Sequence, residues 1–295
     1  MSAAINKYMH IALNTRFEPG IRVSYSTTEI VEKVDYVRHP TAREALKATG
    51  VTDHIEVVSL ADVPASAGLG SSGSYTVGLL NALYTYKGVV RTKAQLAEEA
   101  CHIAMDILGE PSGKQDEYVA AHGGINAYTV DKDGSVTVEP LRISDDTIAE
   151  LESSALMFYT GITRKSSEVL TEQAKKIDEG EAVERMHTIK KIGYQVRSAL
   201  EKSDIKRLGE LLHEHWQAKR GVTQNMTTSK IDEWYKLALE NGAIGGKLIG
   251  AGGGGYLLFI CLDGRTRLRE ALRSKGLVEH RYRFDYDGTK VVYNV

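Results

Sequence analysis

The stretch from Pro64 to Gly73 reads "PASAGLGSSG", with glycines at 68, 70 and 73 in the spacing G-x-G-x-x-G. Gly68 and Gly70 carry no side-chain bulk, so backbone N–H groups there can approach an anion closely. Ser71 and Ser72 add hydroxyls, and either can cap the helix expected to follow. That helix would turn its first N–H groups and positive dipole end to the same spot, an arrangement suited to phosphate. A dinucleotide-binding turn needs its first glycine directly after a buried strand, and an acid roughly 20 residues on. Here "ADVPASA" intervenes and the later region reads "YKGVVRTK", so that reading fails twice. The Gly-Lys-Ser/Thr of a P-loop is also missing. On this stretch alone, a flexible glycine-rich turn with an ordinary serine cap stays open as the alternative.

Two further stretches bear on the same chemistry. In "GGKLIGAGGGGYLLF", Gly250 and Gly252 to Gly255 place five glycines within six residues. Such a run is entropically costly unless the backbone takes unusual dihedrals or lies against something. A plain hairpin needs only one or two, so close approach to a ligand or to the first loop is the expectation. In "GEPSGKQDEY", Asp116 falls in a polar, turn-rich segment between a helix and a strand. In phosphoryl transfer an aspartate can accept or orient the proton of the attacking hydroxyl. Lys114 would balance charge on the moving phosphate. Taken by itself, Asp116 reads as readily as a surface acid or a helix cap.

The elements that must position these residues change character along the chain. Alternation predicts strands in "INKYMHIALN" (5–14), "RVSYST" (22–27) and "HIEVVSL" (54–60). Helices are expected over 74–86 and 93–108, the second stopped by Gly109 and Pro111. Strands at 124–130 and 135–141 flank the turn "DKDG", and "ALMFYTG" reads as a buried strand. Residues 165–241 are almost wholly helical in pattern, with breaks near Gly180, Ser203 and Gly221. Strands return at "YLLFICL", then a helix near 265–275, then strands in "HRYRFDY" and "TKVVYNV". The expectation is α+β in two lobes, 1–150 and 151–295.

The chain has 295 residues, 42% hydrophobic, with 37 Lys+Arg against 39 Asp+Glu and a net charge of −2. That balance offers no broad attraction to nucleic acid or an anionic membrane. Cys101 and Cys261 lie in apolar segments without metal-ligand spacing and suit a reducing compartment. With no apolar run of spanning length and no signal-peptide pattern at the start, a cytoplasmic protein is expected.

Taken together, Pro-x-x-x-Gly-Leu-Gly-Ser-Ser, then Gly-Lys-Gln-Asp, then Gly-Ala-Gly-Gly-Gly-Gly resemble the superfamily of galactokinase, homoserine kinase, mevalonate kinase and phosphomevalonate kinase. The first loop is highly specific for it. "GKQD" and "HEHWQAKR" point to the branch acting on D-glycero-D-manno-heptose 7-phosphate. "INKY", "HPTAREALK" and "MFYTGITR" extend the likeness over nearly the whole chain. The resemblance implies an N-terminal lobe like ribosomal protein S5 domain 2 and a ferredoxin-like C-terminal lobe with extra helices. ATP phosphates would sit over Ala67, Gly68, Leu69, Gly70, Ser71 and Ser72, with Ser72 also touching Mg²⁺. Asp116 would be the base acting on the anomeric hydroxyl of a phosphosugar. The loop with Gly250, Gly252 and Gly253 would shape the phosphate site.

His213, Trp216 and Lys219, with Arg220, fall on one predicted helix, where i,i+3 and i,i+4 neighbours share a face. Lys and Arg would suit the sugar's phosphate and Trp its ring; the alternative is a solvated charged face with Trp216 buried. Arg164, in "GITR", is a weaker candidate for the same pocket.

Two departures stand against the resemblance. Family members usually begin with a further strand and a Gly-Gly-Gly-Thr-Asp loop, for which no residues are present here. A sheet edge left bare in this way invites association, so a homo-oligomer stays open. Relatives also carry a Mg²⁺-binding glutamate where this chain has Ala104, and Asp106 would point to the far side of the helix. A catalytically impaired nucleotide- or sugar-binding protein is the alternative those departures raise, and a kinase for another sugar is the other.

Overall fold

A computed structural model describes residues 1–163, 166–176, 180–222 and 226–294. The chain forms two units that are not consecutive in sequence. The N-terminal unit takes Ser2–Pro64, Gly70–Ile125 and Phe284–Val295, and the C-terminal unit takes Met1, Ala65–Leu69 and Asn126–Arg283. The expected division near residue 150 therefore lies at Ile125, and two short segments cross over. Its physical reason is that the hairpin and helix of residues 125–154 pack with the later elements of the chain, which no local pattern reveals.

In the N-terminal unit, β1 (Ser2–Ala3), β2 (Met9–Thr15), β3 (Ile21–Ser24) and β4 (Thr28–Val31) precede α1 (Pro40–Thr49) and β5 (Ile55–Ala61). Strands β2-β5-β3-β4 form one sheet, parallel only between β3 and β5. Alternation buries Ile21, Val23, Ile55 and Val57 on one face. On that unit pack α2 (Ser71–Tyr86), α3 (Lys93–Cys101) and α4 (Gln115–His122). Gly78 brings α2 close to β2, since a Cβ there would stand 3.3 Å from Ile11 Cγ1. A capping box between Thr92 and Gln95 starts α3, which continues as a π-helical stretch, His102–Ile107.

In the C-terminal unit, β6 (Ile125–Val130) and β7 (Val136–Pro140) form an antiparallel hairpin, followed by α5 (Asp145–Ser154) and β8 (Ala155–Tyr159). Then come α6 (Ser166–Lys176), α7 (Gly180–Glu201), α8 (Ile205–Arg220), α9 (Ser229–Glu240), β9 (Gly245–Leu248), β10 (Tyr256–Ile260), α10 (Arg265–Ser274) and β11 (Val278–Glu279). The antiparallel sheet β11-β8-β10-β9 carries Leu156, Phe158, Leu257 and Phe259 into a core shared with Trp216, Trp234 and Tyr235.

The α+β expectation agrees with this mixture of helix and strand. The two terminal strands differ. Residues 280–294 make only an isolated bridge, Ile5 to Phe284, because their backbone groups go to loops: Asp285 N–H donates to Ala4 O and Gly124 N–H to Asp285 O. Short α1, α4, α5, β4 and β9 escape the periodicity reading. Among the described residues no helix is long and apolar enough to cross a membrane.

Candidate functional site

The glycine-rich segment is divided between the units at the Leu69–Gly70 peptide bond. On the N-terminal side, Gly70 caps α2 with φ +70, and no side chain caps the helix. The expected serine cap is thus absent: Ser71 and Ser72 are already the first helical residues. The N–H groups of the first turn receive no side-chain cap, which leaves the helix's positive end there. Ser71 Oγ is buried without a hydrogen-bond partner, and Ser72 is exposed. Asp116 is brought to this helix start by α4, not by a turn. A Cβ placed on Gly70 would stand 3.1 Å from Asp116 Cγ, and one on Gly73 would stand 3.0 Å from the Asp116 backbone carbon. Both glycines are there because the two helix starts touch.

Asp116 keeps one face open to solvent and has no hydrogen-bond partner among the described residues. Crowding by protein on its other faces strips away hydration and raises its carboxyl pKa. Lys114, by contrast, is engaged with Glu98 at 2.8 Å, so its charge is already answered within the unit. Next to Asp116, Glu117 is 5% exposed with Oε2 unpartnered, and burial first, then Asp116 and Glu110, push its carboxyl up to about 7. Sequence reading passed over Glu117, whose only signal was its place beside Asp116. Ala104 is buried in the π-helical stretch, while Asp106 is exposed and bonded to His102 at 2.7 Å, and so no substitute for an inward carboxylate.

On the C-terminal side, Ala67 and Gly68 lie directly against the second glycine loop. Gly68 has φ +80 and Gly250 φ +76, and a Cβ on Gly250 would be 2.7 Å from Gly68 Cα. At Gly255, a Cβ would run into the Ala67 carbonyl. The loop is anchored elsewhere too. Gly253 N–H donates to Met226 O at 3.0 Å, Gly255 N–H to Ile162 O at 2.8 Å, and Thr160 Oγ1 to Gly255 O at 2.8 Å. Gly252 faces Met226. The expected meeting of the two glycine loops is present, and Leu69 beside it is half-buried.

Helix α8 sends its side chains to different partners in that unit. Trp216 is 0% exposed and packs in the core, so it offers no face to a sugar ring; the buried alternative is what the structure has. His213 Nδ1–H donates to Tyr235 Oη at 2.9 Å, and Tyr235 in turn donates to Gly246 O, which ties α8 to α9 and β9. Arg220 pairs with Asp232 at 2.7 Å. Lys219 alone among these reaches the glycine loop, donating from Nζ to Gly250 O. Burial, then the neighbouring Lys247, lowers the Lys219 pKa to about 7. Arg164 lies outside the described residues.

Comparison with known proteins matches residues 35–124 to the GHMP kinases N terminal domain and residues 196–277 to the GHMP kinases C terminal. The chain is 28% identical to D-glycero-alpha-D-manno-heptose 7-phosphate kinase of Campylobacter jejuni, covering 98% of this chain and 89% of that protein. It is 27% identical to mevalonate kinase of Pyrococcus horikoshii, covering 92% and 82%. Among solved structures, a D-glycero-D-manno-heptose 1-phosphate kinase from Bacteriodes thetaiotaomicron superposes with a TM-score of 0.77 at 22% identity, covering 99% and 90%. At that identity the likeness speaks for the fold.

Proposed function

This chain belongs to the GHMP kinases, and from that premise we propose that it transfers the γ-phosphate of ATP to the anomeric hydroxyl of a heptose 7-phosphate. As a family member it is a phosphotransferase; the heptose is the part proposed. The observation that carries the reading is Asp116, an unpartnered carboxylate held against the uncapped start of α2 by Gly70 and Gly73.

In the proposed reaction the helix start and the Ala67–Ser72 backbone hold the triphosphate, whose charge the uncovered N–H groups answer. The acceptor hydroxyl oxygen forms a bond to the γ-phosphorus as the bond to the β–γ bridging oxygen breaks and ADP leaves. Asp116 takes the hydroxyl proton, and burial, which raises its pKa, makes the carboxylate a better proton acceptor. The Ser72 hydroxyl at the helix start is a hard oxygen donor that fits Mg²⁺, which takes few protein ligands and several phosphate or water oxygens. When bound, the ion would supply charge neutralisation of the β- and γ-phosphates.

The test is ADP release with ATP, Mg²⁺ and a panel of heptose 7-phosphate, hexose phosphates, fucose, galactose and mevalonate. The expected outcome is release above background with the heptose 7-phosphate and the highest kcat/KM for it. Release only with another acceptor would reassign the substrate within the family. ATP binding without release for any acceptor would favour the impaired reading raised by Ala104.

A further inference from the structure

Lys247 is a covered lysine of the C-terminal unit that the catalytic scheme leaves unused. It sits on β9, and strand alternation puts it on the same face as Gly245, where α8 approaches so closely that a Cβ would stand 2.8 Å from His213 Cβ. Farther along α8, His215 and Lys219 come within electrostatic reach of Lys247. No carboxylate pairs with Lys219 or Lys247 among the described residues, although both lysines are mostly covered by protein. His215 Nδ1 is buried with no hydrogen-bond partner. Lys219 Nζ is held at the Gly250 carbonyl, so the cluster borders the glycine loop that lies on Gly68.

We propose that Lys219, Lys247 and His215 form an anion subsite of the C-terminal unit that takes a phosphate monoester, the one already carried by the acceptor, with Lys247 selecting phosphorylated acceptors. Two covered cations and an idle ring nitrogen with no acid beside them are costly unless a dianion completes them. Burial lowers Lys247 to about 8, burial and then Lys247 lower Lys219 to about 7, and burial, the two lysines and the Met1 ammonium, itself lowered by burial and Lys247, hold His215 down to about 3. A neutral imidazole can donate one N–H to a phosphate oxygen without adding to the repulsion. A bound dianion would restore full charge on both lysines. Only the carrier of the phosphate rests on the kinase reading. A phosphate dianion could also belong to the nucleotide, and the experiment separates the two sources.

Lys247→Met removes the charge and keeps an unbranched side chain, a change that buried sites generally tolerate. Thermal melts of the full chain with inorganic phosphate, without nucleotide, read the subsite directly. Wild type is expected to be stabilised with a phosphate Kd that rises about tenfold in Lys247→Met and within threefold in Lys247→Arg. An equal Kd in wild type and Lys247→Met, or no stabilisation of wild type, overturns the subsite. In turnover, the KM for the phosphosugar is expected to rise at least tenfold more than the KM for ATP. A larger rise for ATP would assign the subsite to the nucleotide and overturn the acceptor assignment. Phosphate binding lost in the variant with no wild-type turnover of any acceptor would leave the subsite standing and the kinase reading fallen. Should Lys247→Met fail to fold, Lys219→Met takes the same measurements with the same outcomes.

Discussion

A base for a sugar hydroxyl must be ionised, free of competing hydrogen bonds and near the phosphate it serves. In the proposed reaction Asp116 meets the second by lacking a partner among the described residues, and its contact with Gly70 and Gly73 puts it at the helix start that the proposal assigns to the phosphate. Its raised pKa has a cost with a definite sign. The folded chain holds the Asp116 proton to higher pH than the unfolded chain does. Its favourable contribution to stability is therefore complete below the unfolded value and lost as pH rises through the folded one. Asp116→Asn is expected to melt higher than wild type at pH 8, with the gap closing toward pH 4. Turnover should fall by about 10²–10⁴-fold. Melts at both pH values and a coupled ADP assay check this, and a variant less stable than wild type at pH 8 would refute it. The same shift places the acid limb of the kcat profile above the ordinary carboxylate range. This gain of stability on removing a functional group is the usual trade at an active site. Asp116 was legible as a candidate in sequence, but its environment was not: the crowding comes from α2, more than 40 residues earlier in the chain.

The second glycine loop and the start of α2 are each strained or uncapped for a reason that lies outside themselves. Gly250 takes a left-handed φ and has Gly68 against it, so a methyl group meets both obstacles. Gly250→Ala is expected to cost about 2–3 kcal/mol, of which roughly 1–2 is the dihedral, and to raise the KM for ATP. Gly88, at the end of α2, supplies the control, since its φ is +69 and nothing lies within 4 Å of a Cβ there. Gly88→Ala should lose only about 1 kcal/mol and keep the KM for ATP. Urea melts and initial-rate kinetics on both variants decide, and equal KM values in the two would mean that Gly250 serves stability alone. Periodicity gave the long helices and the buried strands their approximate places. It missed α4, whose eight residues scatter their apolar side chains, and so Asp116 was expected on a turn.

The two units share the segment around Leu69 and Gly70, the C-terminal one holding Ala65–Leu69 and the N-terminal one Gly70 onward. A ligand held at the start of α2 should stabilise the N-terminal unit that carries it. Calorimetry with ATP at about 100 times its Kd is expected to add roughly 2.7 kcal/mol to the unfolding of that unit. Chelating Mg²⁺ should shrink that rise. No ATP-dependent shift would mean that the helix start holds no nucleotide. The primary structure by itself determined the family, because residue type and local order suffice to write Gly-Leu-Gly-Ser-Ser, Gly-Lys-Gln-Asp and the five-glycine loop. It also set the near balance of charge, which is a matter of counting. Tertiary structure alone decided that Trp216 packs inside, that His213 braces Tyr235, and that Lys247 joins Lys219 and His215. Those outcomes depend on which faces of α8 and β9 meet, a question of packing between elements about 30 residues apart that no local periodicity encodes.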